Sequence, residues 1–192
     1  MARPKEFDPE RALDKAMEVF WRKGYEATSI EDLVMRMGIN RGSLYETFGD
    51  KQQLFLAAMD RYCSGMAARR LTLLEQPGPA LDTIKNFVRD MVRMALATRR
   101  KGCLIANTAM ELAPHEKVIG DRVVRALGDV EEAFFTAFQR AKVNGELRRG
   151  QNPRALARYL TTMLQGVIVM YKAGTPTEAL QDAVETGLSV LD

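Results

Sequence analysis

Apolar side chains recur every three or four positions along most of the chain, and nowhere do apolar and polar residues alternate strictly, so the pattern predicts helices and no strands. Asp8-Pro9-Glu10 opens the first helix, because an aspartate can accept from first-turn amides and proline sits where no donor is needed. Leu13, Ala16, Met17, Phe20 and Trp21 then form one buried face, and Gly24 offers a left-handed stop. Thr28-Ser29-Ile30-Glu31 has the spacing of a capping box, in which hydroxyl and carboxylate satisfy each other's exposed amides. It precedes Ile30, Leu33, Val34 and Met37 on a second helix that ends at Gly38. Asn40 is placed to cap a third, short helix through Thr47, with Leu44 and Phe48 one turn apart and directed into the same core. Asp50-Lys51-Gln52-Gln53 repeats the capping pattern ahead of a longer helix carrying Leu54, Phe55, Ala58, Met59 and Tyr62.

Gln76-Pro77-Gly78-Pro79 is the strongest breaker in the chain and predicts a turn between helices rather than a flexible linker. The helical period resumes at Leu81 and is expected to run through Arg100, where Lys101-Gly102 breaks it. Cys103 to Ala113 spell a short helix stopped by Pro114, and Ile119, Val123, Leu127, Val130, Phe134, Phe138 and Ala141 mark a long one closed by Asn144-Gly145. Pro153 starts a further helix, and Thr175-Pro176 starts a last one with Leu180, Val184, Leu188 and Leu191. The fold class is all-α, without internal repeats or low-complexity segments.

Composition narrows the function classes. A chain of 192 residues, 46% hydrophobic and 28% charged, has a globular balance and room for one ordinary domain or a small one joined to a modest second. No run approaches the roughly 18 apolar residues of a membrane span. The acids Glu6, Asp8 and Glu10 stand where a signal peptide has its apolar stretch, so a cytoplasmic protein with no membrane role is expected. Cys63 and Cys103 are too few and too distant for a disulfide framework or a cysteine-based zinc site. His115 is the only histidine and reads as a turn residue. With no phosphate-binding glycine loop and no nucleophile–base–acid set, neither a cofactor nor catalysis is expected.

The formal charge of +3 carries little information about partners, since residues 1–52 hold nine Lys and Arg against ten Asp and Glu. DNA binding rests instead on the stretch from Ser29 to Phe48, which places two short helices around Gly38-Ile39 with helix-turn-helix spacing. The first helix of such a pair braces the second, whose polar face can then enter a major groove about 12 Å wide. Leu44 and Phe48 serve packing, which leaves Asn40, Arg41, Ser43, Tyr45 and Thr47 available to bases and phosphates. Arg3 and Lys5 form either a solvated tail or a minor-groove arm.

The segment FWRKGYEATSIEDLVMRMGINRGSLYETFGDKQQLF resembles the DNA-binding domain of the TetR/AcrR family of bacterial regulators, and the likeness covers residues 6 to 62. Its elements are Gly24-Tyr25-Glu26-Ala27-Thr28-Ser29, the turn from Leu33 to Asn40, and Arg41 to Lys51. The resemblance implies phosphate contacts from Thr28, Ser29, Tyr45 and Lys51, and base-edge contacts from Arg41, Gly42 and Ser43. Val34 stands where the family commonly has alanine, and Glu46-Thr47 replaces a frequent histidine-containing pair, which bears on the operator sequence. The resemblance further implies an N-terminal three-helix DNA-binding domain over 6–66 and a C-terminal effector-binding and dimerisation domain over 67–192. The implied partners are a palindromic double-stranded DNA operator, a small-molecule effector and a second copy of the chain, with release of a repressor as the response.

Residues 102–112, GCLIANTAMEL, resemble a segment of one branch of TetR-like C-terminal domains. Met163, Leu164, Val167, Ile168, Val169 and Met170 leave the penultimate helix apolar around most of its circumference, so it must be covered on several sides. Met91, Met94, Met110, Phe134, Phe138 and Met163 either line an effector pocket or fill an ordinary core, with Cys103 and Asn107 as further pocket candidates. Cys103 follows Arg99, Arg100 and Lys101, surroundings that activate a thiol; the other reading is a small buried apolar residue. From a different class, a small helical enzyme or a lipid- or ligand-binding module without a DNA role would need polar groups converging in that pocket, for which Asn107, Glu111 and Gln165 are the candidates.

Overall fold

The computed structural model describes residues 7–98 and 100–192, apart from the side chains of residues 70–72. Arg3 and Lys5 of the expected tail or arm, and Arg99 upstream of Cys103, lie outside the described residues. Among the described residues there is no strand, and the helices follow in the order α1 Pro9–Lys23, α2 Ile30–Met37, α3 Arg41–Phe48, α4 Lys51–Leu74, α5 Ala80–Leu96, α6 Leu104–Glu111, α7 Lys117–Val143, α8 Pro153–Ala173 and α9 Thr177–Leu188. No helix among them is long and apolar enough to cross a membrane.

Local chemistry sets most of these boundaries. The Asp8 carboxylate accepts from the amides of Glu10 and Arg11 ahead of α1, and Asn40 accepts from the Ser43 amide at 2.8 Å ahead of α3. Asp50 accepts from the Gln53 amide at 2.8 Å ahead of α4. The capping box of α2 sits one residue later than expected: Ser29 Oγ accepts from the Asp32 amide, and Asp32 accepts from the Ser29 amide, each at 3.0 Å. Thr28 is turned inward instead, donating its hydroxyl to the Gly24 carbonyl at 2.6 Å. Helix α5 stops at Leu96, short of the expected Arg100. Thr98 Oγ1 donates to the Ala95 carbonyl, the Tyr171 hydroxyl from α8 donates to the Leu96 carbonyl, and Arg100 adopts a positive φ of 62°, so the backbone acceptors that would continue the helix are occupied.

Two apolar cores result. One is formed by α5, the second half of α7, α8 and α9, around Phe87, Phe134, Phe138, Leu160, Leu164 and Leu188. The other gathers Phe20 of α1, Leu33 and Met37 of α2, Leu44 of α3, and Leu54, Phe55 and Met59 of α4. This second core is completed from far along the chain, by Leu104, Ile105 and Leu112 around α6 and by Ile119 and Val123 of α7. Helix α4 runs unbroken through residues 66 and 67, so the N-terminal head shares both a helix and a core with the C-terminal part of the chain.

Leu44 anchors α3 and is fully buried, whereas the adjacent Tyr45 is 46% exposed. Leu44→Ala is therefore expected to cost about 2 to 5 kcal/mol in chemical denaturation, through lost burial and the cavity left behind. Tyr45→Phe should stay within about 0.5 kcal/mol of the parent. Equal losses from the two changes would mean that α3 is not seated through Leu44.

Candidate functional site

The helix-turn-helix is braced at three points. Gly38 closes α2 in the left-handed region with φ 75°, its amide donating to the Val34 carbonyl at 2.9 Å. Lys15 of α1 reaches across to the Met37 carbonyl at 3.2 Å. Leu33, Met37 and Leu44 then bury the inner faces of both helices. The outward face of α3 presents Arg41 and Gly42, with Tyr45 one turn on, flanked by exposed Asn40 and Glu46, while Ser43 and Thr47 are half-buried at its edges. Ser29 is exposed at the start of α2. Thr28 departs from its implied phosphate contact: it is 1% exposed and its hydroxyl is committed to Gly24. Its part is to hold the turn between α1 and α2.

The charges around this face are already arranged. Arg41 pairs with Glu31 of α2, both side chains being well exposed, and an ion pair of that kind is worth only about 0 to 1 kcal/mol. The half-buried Lys51 places its ammonium 4.3 Å from the centre of the Tyr25 ring. Burial, reinforced by Glu26, Asp50 and Glu116, pushes the Tyr25 phenol above its ordinary value, so it stays neutral. The ammonium of Lys23, 2.7 Å away, together with the Ser29 amide and hydroxyl, draws the Asp32 carboxyl down to about 2.

A seam joins this head to residues 101–111. The Glu111 carboxylate accepts from the amides of Tyr25 at 3.1 Å and Glu26 at 2.9 Å. Gly24 allows that approach, since a Cβ there would lie 2.7 Å from Glu111 Oε2. Lys101 Nζ binds Glu18 Oε1 at 2.6 Å and lies 5.0 Å from the Trp21 ring centre, while Trp21 Nε1 donates to the Gly102 carbonyl at 3.0 Å. Burial would raise the Glu18 carboxyl, but Lys101 and Arg22 hold it below its ordinary value. Asn107 belongs to the same seam, donating to the Lys101 carbonyl at 2.9 Å and accepting from Lys172 at 2.7 Å.

Beside the seam lies an apolar cavity of about 100 Å³. Of the expected pocket residues, Met91, Met94 and Cys103 line it. Asn107, Met110, Phe134, Phe138 and Met163 are not among its walls. Phe134 and Phe138 are fully buried in the C-terminal core, Met110 is 56% exposed, and Met163 packs beside Gly187 of α9. Helical spacing marks a buried face without saying what lies opposite, which is why core and cavity positions look alike in sequence. Trp21, Tyr62, Leu127 and Gln165 are also among its walls; the sequence points to Gln165 only for an enzyme or a lipid- or ligand-binding module, and to Trp21 only as core. The clue at Trp21 is its indole N–H, which needs a partner when buried and finds one far along the chain, at Gly102. Cys103 is half-buried at the N-cap of α6 and accepts from the Tyr62 hydroxyl at 3.6 Å; the neighbouring Lys101 is spent on Glu18. Burial, with Cys103 next in effect, pushes the Tyr62 phenol well above its ordinary value.

Residues 12–58 match the family model described as bacterial regulatory proteins, tetR family, and residues 80–186 match that of the tetracyclin repressor-like C-terminal domain. The chain is 39% identical over 194 residues to the uncharacterized HTH-type transcriptional regulator YezE of Bacillus subtilis, covering 100% of both proteins. It is 30% identical to the HTH-type transcriptional repressor ComR of Escherichia coli, over 97% of this chain and 90% of that one. Among solved structures, a cysteine mutant of the TetR family transcriptional regulator CifR, complexed with 26 bp double-strand operator DNA, superposes with a TM-score of 0.87 at 30% identity, covering 97% of this chain and 98% of that one.

The lowered Asp32 value makes the α2 brace sensitive to acid. A carboxyl whose value falls on folding stabilises the fold above its ordinary range and stops doing so as pH drops through the lowered value. Asp32→Asn should therefore be less stable than the parent at neutral pH, with the shortfall closing between about pH 4 and pH 2 in helical circular dichroism. A shortfall independent of pH would remove Asp32 as its source.

Proposed function

The chain belongs to the TetR family of bacterial regulatory proteins and is a transcriptional regulator rather than an enzyme; on that footing we propose that it is a ligand-responsive repressor of a palindromic operator. The observation that carries DNA recognition is α3 itself, sealed below by Leu44 and open above at Arg41, Gly42 and Tyr45. Entered into a major groove, Arg41 exchanges its weak pairing with Glu31 for a guanine edge, and Tyr45 and Lys51 rest on phosphates beside it. The solved CifR relative carries operator DNA, and ComR is named a repressor, which supports the same assignment here.

A palindromic site calls for two heads related by a two-fold axis. A homodimer interface over roughly residues 153–190, from α8 through α9 and the turn after it, explains why Tyr159, Met170 and Val190 remain 41%, 50% and 43% exposed. Residues 6–66 read the DNA and lend Trp21 and Tyr62 to the effector site, residues 67–192 supply the rest of that site and meet the second subunit, and the protein works in the cytoplasm where its operator is. The effector site is the cavity walled by Trp21, Cys103 and Met91, because it touches the head and the C-terminal half at once. A molecule that prefers the conformation with poorly placed heads must weaken DNA binding, and DNA must weaken its binding by the same factor.

Selection from a random duplex library should return a near-palindromic site. On that duplex Arg41→Ala should cost about 1 to 3 kcal/mol and relax preference at one symmetric pair of positions. Lys51→Ala should weaken selected and scrambled duplexes alike and lower the salt slope by about 1. If Arg41→Ala loses equally on both duplexes, Arg41 is a phosphate contact and the base-reading assignment fails.

A further inference from the structure

Among the described residues, the wall of the cavity beside the seam carries no formal charge and holds one polar atom out of balance. Its other polar side chains are engaged within the protein: the Trp21 indole donates to Gly102, the Tyr62 hydroxyl to Cys103, and the Thr98 hydroxyl to Ala95. Gln165, from α8, is one of the lining residues, and its Oε1 is buried with no hydrogen-bond partner among the described residues. A buried amide oxygen left without a donor costs far more than a bonded one, so native structures rarely leave one unpaired, and a donor brought into the cavity would relieve it. The volume of about 100 Å³ is on the scale of a single small ring, by comparison with the roughly 150 Å³ that accommodates benzene in an engineered apolar cavity. Met66, Met91 and Met94 around it are unbranched and can shift to admit one.

We infer that this cavity takes a compact, uncharged, mainly apolar molecule with one hydroxyl or N–H donor, which pairs with Gln165 Oε1. The inference rests on reading this cavity as the effector site and adds the chemistry of its occupant. Charged molecules are disfavoured because no opposite charge among the described residues lines the wall to offset their desolvation. A purely apolar molecule fills the space and leaves Gln165 as it found it.

Phenol and benzene differ by the one donor and serve as probes. Trp21 is the chain's only tryptophan and lines the cavity, so its fluorescence reports occupancy directly. Titrating the full-length protein should give saturable binding of phenol. The ratio of benzene to phenol dissociation constants should be about tenfold larger in the parent than in Gln165→Leu, with Gln165→Met as a second variant in case the first fails to fold. An unchanged ratio, or no saturable response of Trp21 to phenol in the parent protein, would overturn the inference. The readout contains no DNA, and affinity for the selected duplex is measured separately on the same samples. A shifted ratio with DNA affinity indifferent to phenol supports the chemistry of the site and counts only against ligand-driven release.

Discussion

The amides of Tyr25 and Glu26 leave the turn between α1 and α2 pointing toward α6, and one carboxylate, that of Glu111, accepts from both. Backbone donors must find acceptors wherever water is scarce, and the Tyr25 amide is partly buried. The turn that launches α2 therefore takes its conformation from a residue 85 and 86 positions further along the chain. Through Gly38 and the Leu44 anchor the same constraint passes to α3. The head's core points the same way, since Leu104, Ile105 and Leu112 complete it. The orientation of the recognition helix is thus a property of the whole chain.

The cavity shares its wall with this seam. Gly102 both lines it and receives the Trp21 indole, while Lys101, one residue away, holds Glu18 of α1. An occupant of this proposed site would touch α1 directly as well as α4, α5, α6, α7 and α8. Exposed ion pairs on the rest of the surface, such as Arg89 with Glu185, contribute little to this coupling because solvent screens them.

Much of this was legible in the residues. Phe20, Leu33, Leu44, Phe55 and Leu164 announce their helices by spacing, and Asp8, Asn40 and Asp50 announce where three of them begin. Capping signals failed where two hydroxyls competed: Thr28 and Ser29 both fit the pattern, and the choice fell to Ser29 because the Gly24 carbonyl captured Thr28. The α5 terminus was hidden because its carbonyls are claimed by Thr98 and by Tyr171 from another helix. Spacing identified Met91 and Met94 as inward-facing along with Phe134 and Phe138, yet only contacts between distant segments separate cavity from core. Gln165 and Glu111 were visible as polar residues in apolar surroundings, and their distinct places, one lining the cavity and the other holding the turn, follow from tertiary placement alone.

The central claim is that the seam carries cavity occupancy to the DNA-binding face. Its most direct test is the factor by which saturating phenol changes affinity for the selected duplex, measured in the parent protein and in Glu111→Ala. The account predicts a loss of roughly 5- to 150-fold in the parent. In the variant, phenol and DNA should both still bind, and the factor should fall toward one. The same factor in both proteins, or a parent protein whose DNA affinity ignores phenol, would contradict it.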